Sequence, residues 1–294
     1  MELIINKLVK TYPNGVQALK DISMTINSGL FGLLGPNGAG KSSLMRTIAT
    51  LQEADSGSIM LDKLDVLKSK TEVRQLLGYL PQEFGVYPKI PAERMLDHIA
   101  ELKGVANAGQ RKDLVGSLLT QVNLWKDRKR QLGTFSGGMK QRFGIAQALI
   151  GSPKLLIVDE PTAGLDPAER NRFYNLLSLL GENIIVILST HIVEDVSTLC
   201  SSFAIISRGE LLYQGKPDDA VDAMRGRIFS KSINAMELEH YQRLFNVVST
   251  QLKTGRLHIR VVLNTDPGDG FIPAEPNLED VYFSYIAQTT NHVH

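Results

Sequence analysis

The sequence of 294 residues contains a single cysteine, Cys200. One thiol cannot close an intrachain disulfide, which excludes a disulfide-stapled scaffold and favours a reducing compartment. An excess of either charge is missing too: 32 Lys and Arg stand against 31 Asp and Glu, a formal net charge of +1. A nucleic-acid surface needs a basic surplus, so no nucleic-acid partner is expected. Long apolar runs are also lacking. The longest, LLIV at 155–158 and IIVIL at 184–188, have the length of buried strands, short of the roughly 18 to 20 residues of a membrane span. The opening MELIINKLVKTY alternates apolar and polar residues and lacks the core of a secretory signal. A soluble chain is expected; if it works at a membrane, another polypeptide does the spanning.

What is present is globular composition, 43% hydrophobic and 21% charged, over a length that suits one large domain plus a smaller one. In DISMTIN, Ile22, Met24 and Ile26 alternate with polar residues and predict a strand with one buried face. Leu30 to Leu34 form a short apolar run ending in GPNGAGKSS, after which Leu44, Met45, Ile48 and Ala49 recur at helical spacing. The runs before Asp159-Glu160 and before Ser189-Thr190-His191 predict parallel strands covered on both faces. Ligands of such sheets lie at the carboxyl ends of the strands, so three strand ends bring chemistry-bearing residues together.

Between Tyr87 and Leu132 the pattern is helical, with Met95, Ile99 and Leu102 expected on one face and Leu114, Leu118 and Gln121-Val122 on another. KDRKR, from Lys126 to Arg130, reads as a solvated charged loop. FAIISRGELLYQG predicts a hairpin turning at Arg208-Gly209. After Pro217 the texture changes to a small α+β unit, with a Pro- and Gly-rich linker from Thr265 to Pro276. Asn277 and Asp280 are spaced as a helix cap.

Gly35-Pro-Asn-Gly-Ala-Gly-Lys41-Ser42 fits G-x-x-x-x-G-K-[ST] between a strand and a helix. The glycines let N–H groups through Asn37, Gly38, Ala39 and Gly40, continuing to Ser43, curve around phosphates; Lys41 reaches the outer phosphates and the Ser42 hydroxyl ligates Mg²⁺. Asp159 and Glu160 end an apolar strand that points successive side chains oppositely. Asp159 then suits the Mg²⁺ shell, and Glu160 faces the γ-phosphate to polarise water. His191 closes the neighbouring strand. Gln82, set in a loop by Pro81, offers an amide to metal or water. In TFSGGMKQR, Ser136, Gly137 and Gly138 sit where a helix begins, where free N–H groups hold an anion. That is a second anion site in a chain that already has a stronger one.

GPNGAGKSS, YLPQ, FSGGM, LLIVDEP, AGLD and STH stand in the order and approximate spacing of the ATPase subunits of ABC transporters, and Met1 to about Gly215 resembles that family. The resemblance implies an α/β fold: a P-loop NTPase core with a mostly parallel sheet, an antiparallel β subdomain and a helical subdomain. To these the sequence adds a small C-terminal α+β appendage. The expected division is an ATPase domain over 1–217, with the helical subdomain inserted at about 84–150, and a C-terminal α+β domain over 218–294.

By the same resemblance Tyr12 stacks on adenine, Gln82 senses Mg²⁺ and the γ-phosphate, Asp166 lies in the loop that crosses between subunits, and His191 is the switch histidine. ATP with Mg²⁺ is then held between one chain's phosphate loop and Ser136 and Gly138 of another, in a head-to-tail homodimer or a pair of ATPase subunits. Phe135 and Met139 replace the common Leu and Gln of the signature, while Ser136, Gly137 and Gly138 are intact. The implied work is ATP hydrolysis that powers integral-membrane subunits on a separate chain, at the cytoplasmic face of the membrane, with residues 83–104 as the docking region. GYLPQEFGVYP, SGGMKQR and NLEDVYF resemble export systems. The alternative is a soluble ABC-type ATPase uncoupled from transport. Its translation-factor branch pairs two cassettes, and its DNA-repair branch carries a long coiled coil; neither pattern occurs here.

Overall fold

An unbroken run of branched apolar residues has no face to offer water, so it requires cover on both sides. The computed structural model describes residues 1–162, 164–253 and 255–291. The chain opens with the hairpin β1 (Glu2–Thr11) and β2 (Gln17–Asn27), then β3 (Gly29–Leu34), the glycine-rich loop and α1 (Lys41–Ile48). After β4 (Ser56–Leu61), β5 (Leu64–Asp65), α2 (Lys70–Leu76) and β6 (Leu77–Leu80) come three helices, α3 (Ala92–Leu102), α4 (Ala108–Gln121) and α5 (Gly137–Ala148). The next elements are β7 (Leu155–Asp159), α6 (Pro167–Gly181), β8 (Ile185–Thr190), α7 (Val193–Leu199), β9 (Ser202–Ser207) and β10 (Glu210–Gly215). The remainder comprises α8 (Pro217–Asp222), β11 (Ile228–Ile233), α9 (Leu238–Leu244), β12 (Val247–Lys253), β13 (Arg256–Val262), β14 (Ile272–Pro273) and α10 (Leu278–Asn291).

The central sheet is ordered β10-β9-β3-β8-β7-β6, parallel except for β10. Its strands feed two cores by alternation. Leu156, Val158, Val186 and Leu188 pack with α5, α6 and α7, while Leu155, Ile157, Ile185 and Ile187 pack with α1 and the antiparallel sheet β2-β1-β4-β5. The hairpin of β9 and β10 turns where the sequence places it, and Arg208 and Gly209 both have positive φ, 49° and 81°. That pair of values suits a two-residue turn matched to strand twist.

Three helices follow β6 where the sequence pattern turns helical, with one correction to their faces. Leu102 does not share the buried face of Met95: it is 74% exposed. The buried stripe of α3 runs through Ala92, Met95, Leu96 and Ala100 instead, because α3 packs against α4 and α5 along its alanine side. The Pro- and Gly-rich linker contains β14, which pairs with β11 in a third sheet ordered β12-β13-β11-β14. Among the described residues, no helix is long and apolar enough to cross a membrane.

The last helix returns to the centre. Leu278, Val281 and Tyr282 enter the same core as α5, α6 and α7, and the rings of Tyr213 and Tyr285 lie 5.3 Å apart. Its start is a reciprocal cap: Asn277 N donates to Asp280 Oδ2 and Asp280 N to Asn277 Oδ1, at 2.9 and 3.0 Å. The fully buried Asp280 also receives Arg260 of β13 through two bonds of 2.8 and 2.7 Å. Breaking a buried ion pair from one side costs about 3 kcal/mol or more. Asp280→Ala is therefore expected to lower the melting temperature by roughly 6–12 °C, measured by differential scanning calorimetry.

Candidate nucleotide site

A helix whose first N–H groups find no protein acceptor is prepared for an anion. Helix α1 meets that description, with no side-chain cap and no acidic residue in its first turn. The loop before it can turn so tightly because Gly40 has φ 107°, and a methyl there would lie 2.4 Å from Ala18 O. The β9–β10 turn braces this loop: Gly209 N donates to Ala39 O at 2.9 Å, and Lys20 N to Gly209 O at 2.7 Å. Lys41 is buried, its Nζ donating to Gly35 O at 2.6 Å and Pro36 O at 3.2 Å. Burial lowers its pKa, against the opposing pull of Glu160 and Asp159.

Around this loop lies a cavity of about 570 Å³ lined by Tyr12, Asn37 to Ser43, Gln82 and Glu160. Val16 and Ala18 also line it, as do Lys20, Arg208 and Gly209. Tyr12 follows directly on β1; its hydroxyl donates to Gln52 Oε1 at 3.0 Å and lies 2.9 Å from Ser43 Oγ. Asp159 is buried at the end of β7. Burial raises its pKa; the Ser189 hydroxyl opposes this, Glu160 adds to it, and Lys41 and Arg46 counter it. In both groups the cost of burying a charge outweighs the pull of the opposite charges nearby. Ser42, Gln82 and Asp159 offer hydroxyl, amide and carboxylate oxygens, the hard donor set that suits Mg²⁺.

Glu160 lines the cavity, as its expected role requires, but strand alternation does not aim it there. It lies beyond β7 with φ 45°, so a left-handed backbone residue, and not strand alternation, aims its side chain. Its N–H donates to Ser189 O at 2.9 Å, which ties the turn to β8. One carboxylate oxygen accepts from Gln82 Nε2 at 3.0 Å, and the other lies 3.1 Å from His191 Nδ1. Non-glycine residues in this backbone region are costly and collect at functional sites.

Ser136, Gly138 and Asp166 do not line this cavity. Ser136 caps α5, its Oγ accepting from Met139 N at 3.2 Å. Asp166 caps α6, accepting from Glu169 N at 2.8 Å. Behind the signature, Phe143, Ala146 and Ile150 are buried, with Met139 packed against the same core. Sequence reading missed Lys20 and Arg208, which reach the cavity through long-range pairing and carry no local motif, and Gln52, which stands behind it against Tyr12 and Ser43.

A mostly parallel sheet, a strand–glycine loop–helix with its buried lysine, and a carboxylate at the end of β7, one strand removed from β3, define a P-loop NTPase. Residues 19–163 match the family model described as ABC transporter. Over 230 residues the chain is 36% identical to the probable multidrug ABC transporter ATP-binding protein YbhF of Escherichia coli (strain K12), covering 77% of this chain and 39% of YbhF. It is 37% identical over 213 residues to the ABC transporter ATP-binding protein NatA of Bacillus subtilis (strain 168), covering 71% of this chain and 86% of NatA. A solved ATP-binding subunit of an ABC transporter matches with TM-score 0.67 at 28% identity, over 76% of this chain and 93% of that one. The chain belongs to the ABC transporter ATP-binding family.

Two adjacent glycines of the signature differ in what surrounds them. A methyl on Gly138 would fall 2.4 Å from Glu169 Oε2, whereas Gly137 faces open space. Glu169 is held by Arg142 at 3.3 Å and Arg172 at 2.7 Å. Gly138→Ala should therefore destabilise by about 1–3 kcal/mol, and Gly137→Ala should be neutral or stabilising by up to about 1 kcal/mol. Urea denaturation of the two variants checks this.

Proposed function

We propose that this chain binds and hydrolyses ATP to drive a membrane transporter, through closure and reopening of two ATPase chains around the nucleotide. The observation that carries the reading is the division of the site. Lys41, Gln82 and Glu160 line one cavity, while Ser136 stands at a helix N-terminus outside it. A second chain placed head to tail brings its Ser136, Gly138 and Asp166 to the open side. Tyr12 and Val16 form the wall for adenine, and residues 37–43 hold the phosphates. Ser42, Gln82 and Asp159 would hold Mg²⁺, which would supply charge neutralisation at the phosphates. Glu160 takes a proton from the attacking water, and His191 holds the carboxylate in place.

Charge-assisted hydrogen bonds contribute about 1.5–3 kcal/mol each. Moving an open-to-closed equilibrium from 1:99 to 99:1 takes about 5.5 kcal/mol. Two sandwiched nucleotides with a few such bonds each reach that figure, and loss of the γ-phosphate removes them.

The transporter assignment is supported by the family and by a groove lined by Leu51, Arg74, Tyr79, Ile99 and Lys103. The groove adjoins β6, which leads into Gln82, and it overlaps residues 83–104, the expected docking region for integral-membrane subunits. The multidrug name of YbhF supports export from the cytoplasmic face.

Glu160→Gln is expected to bind ATP, to lose at least about 100-fold in turnover, and to dimerise with ATP in light scattering. Turnover near the wild-type rate would sink the role of Glu160. Gly137→Asp on that background leaves the fold room for the new side chain but sets a carboxylate against the partner's nucleotide. Dimerisation that persists in this double variant would refute the shared site.

A further inference from the structure

Asp195, on the first turn of α7, is fully buried and does not line the nucleotide cavity. A carboxylate in so dry a position must be satisfied by donors. Three hydroxyls supply them. Thr162 Oγ1 donates to Asp195 Oδ2 at 2.6 Å, Thr190 Oγ1 to the same oxygen at 2.9 Å, and the Tyr174 hydroxyl to Oδ1 at 2.5 Å. Both threonines are themselves 1% exposed. Burial and Asp195 together push the Tyr174 hydroxyl to a pKa well above its usual range, so it stays protonated as a donor.

The positions of these donors give the cluster its meaning. Thr162 follows Glu160 by two residues, and Thr190 immediately precedes His191. Thr190 Oγ1 also accepts from Ile192 N at 2.9 Å, which fixes the backbone on both sides of His191. One oxygen of one buried anion therefore anchors the loop after β7 and the loop after β8. Those two loops carry the carboxylate and imidazole that meet at 3.1 Å.

We propose that Asp195 is a positioning residue for hydrolysis, which holds Glu160 and His191 in register by binding Thr162 and Thr190 through a shared oxygen. The proposal rests on the roles given above to Glu160 and His191. A displacement of about 1 Å in a catalytic group can cost on the order of 100-fold in rate, so loss of one loop anchor should appear in turnover and leave nucleotide affinity intact.

The test compares shape with hydrogen bonding in the full-length protein. Thr162→Val and Thr190→Val keep the volume and remove the hydroxyl; Thr162→Ser and Thr190→Ser keep the hydroxyl. Each valine variant is expected to lose at least about tenfold in kcat with KM for ATP within about twofold, and each serine variant to stay within about threefold of wild type. On a His191→Ala background, Thr190→Val should add little, since both act through one group. Valine variants as active as the serine variants, or losses that multiply fully on the His191→Ala background, would overturn the proposal. Wild-type turnover by Glu160→Gln would instead defeat the reading of Glu160 beneath it. If neither valine variant binds ATP, Asp195→Ala decides between the outcomes: a methyl accepts from neither threonine, so kcat should fall at least about threefold, and no loss rejects the role.

Discussion

Parallel strands that pair in register end at one level, and the phosphate loop, Gln82, Glu160 and His191 inherit their places from that alignment. Leu34 of β3 lies opposite Thr190 of β8, Ser189 opposite Asp159 of β7, and Val158 opposite Leu80 of β6. The residues that follow these ends, Gly35, His191, Glu160 and then Pro81-Gln82, emerge along one edge of the sheet. Apolar alternation alone does not fix this register, because both faces of the strands are buried in apolar cores. Polar contacts at the carboxyl edge do. Glu160 N binds Ser189 O, and the shared bonds to Asp195 tie the two following loops together.

Much of this could be read from the residues. The strand runs, the phosphate loop, the Arg208-Gly209 turn and the Asn277–Asp280 cap are local signals, and local chemistry decides them. What was illegible depends on distant partners. The triplet Met95, Ile99, Leu102 looks like a buried stripe, yet α3 buries Ala92 and Ala100, because small residues let neighbouring helices approach and leave little mark in a hydrophobic pattern. The direction of Glu160 is set by a left-handed backbone residue that strand periodicity cannot foretell. Lys20 and Arg208 reach the site only through tertiary folding, and Asp195 resembles any acidic residue in the first turn of a helix.

The texture change near Pro217 marks a shift in composition more than a gap in packing. Sheet β12-β13-β11-β14 has its own small core around Phe229, Tyr241, Ile259 and Phe271. Helix α10, however, buries Leu278, Val281 and Tyr282 in the core of the ATPase helices. At its far end, Thr289 O accepts from Arg208 Nη1 at 3.0 Å, and Arg208 also lines the nucleotide cavity. The final helix is thus bonded to the rim of the site it follows by some eighty residues in sequence.

Helix α6 connects the two halves of the chemistry. At its start Asp166 provides the cap and Glu169 fits against the bare Cα of Gly138 on α5. Two turns on, the Tyr174 hydroxyl binds Asp195 beside the hydrolytic loops. The surface proposed to meet a partner's nucleotide and the loops proposed to act on the chain's own therefore lean on one element. A glutamate wedged against a glycine leaves no slack at the first contact, and a phenol bonded to a buried anion leaves little at the second. In the proposed dimer, a shift of α5 against a partner would be taken up by α6 as a body and would arrive at Asp195, the anchor proposed for the spacing of Glu160 and His191.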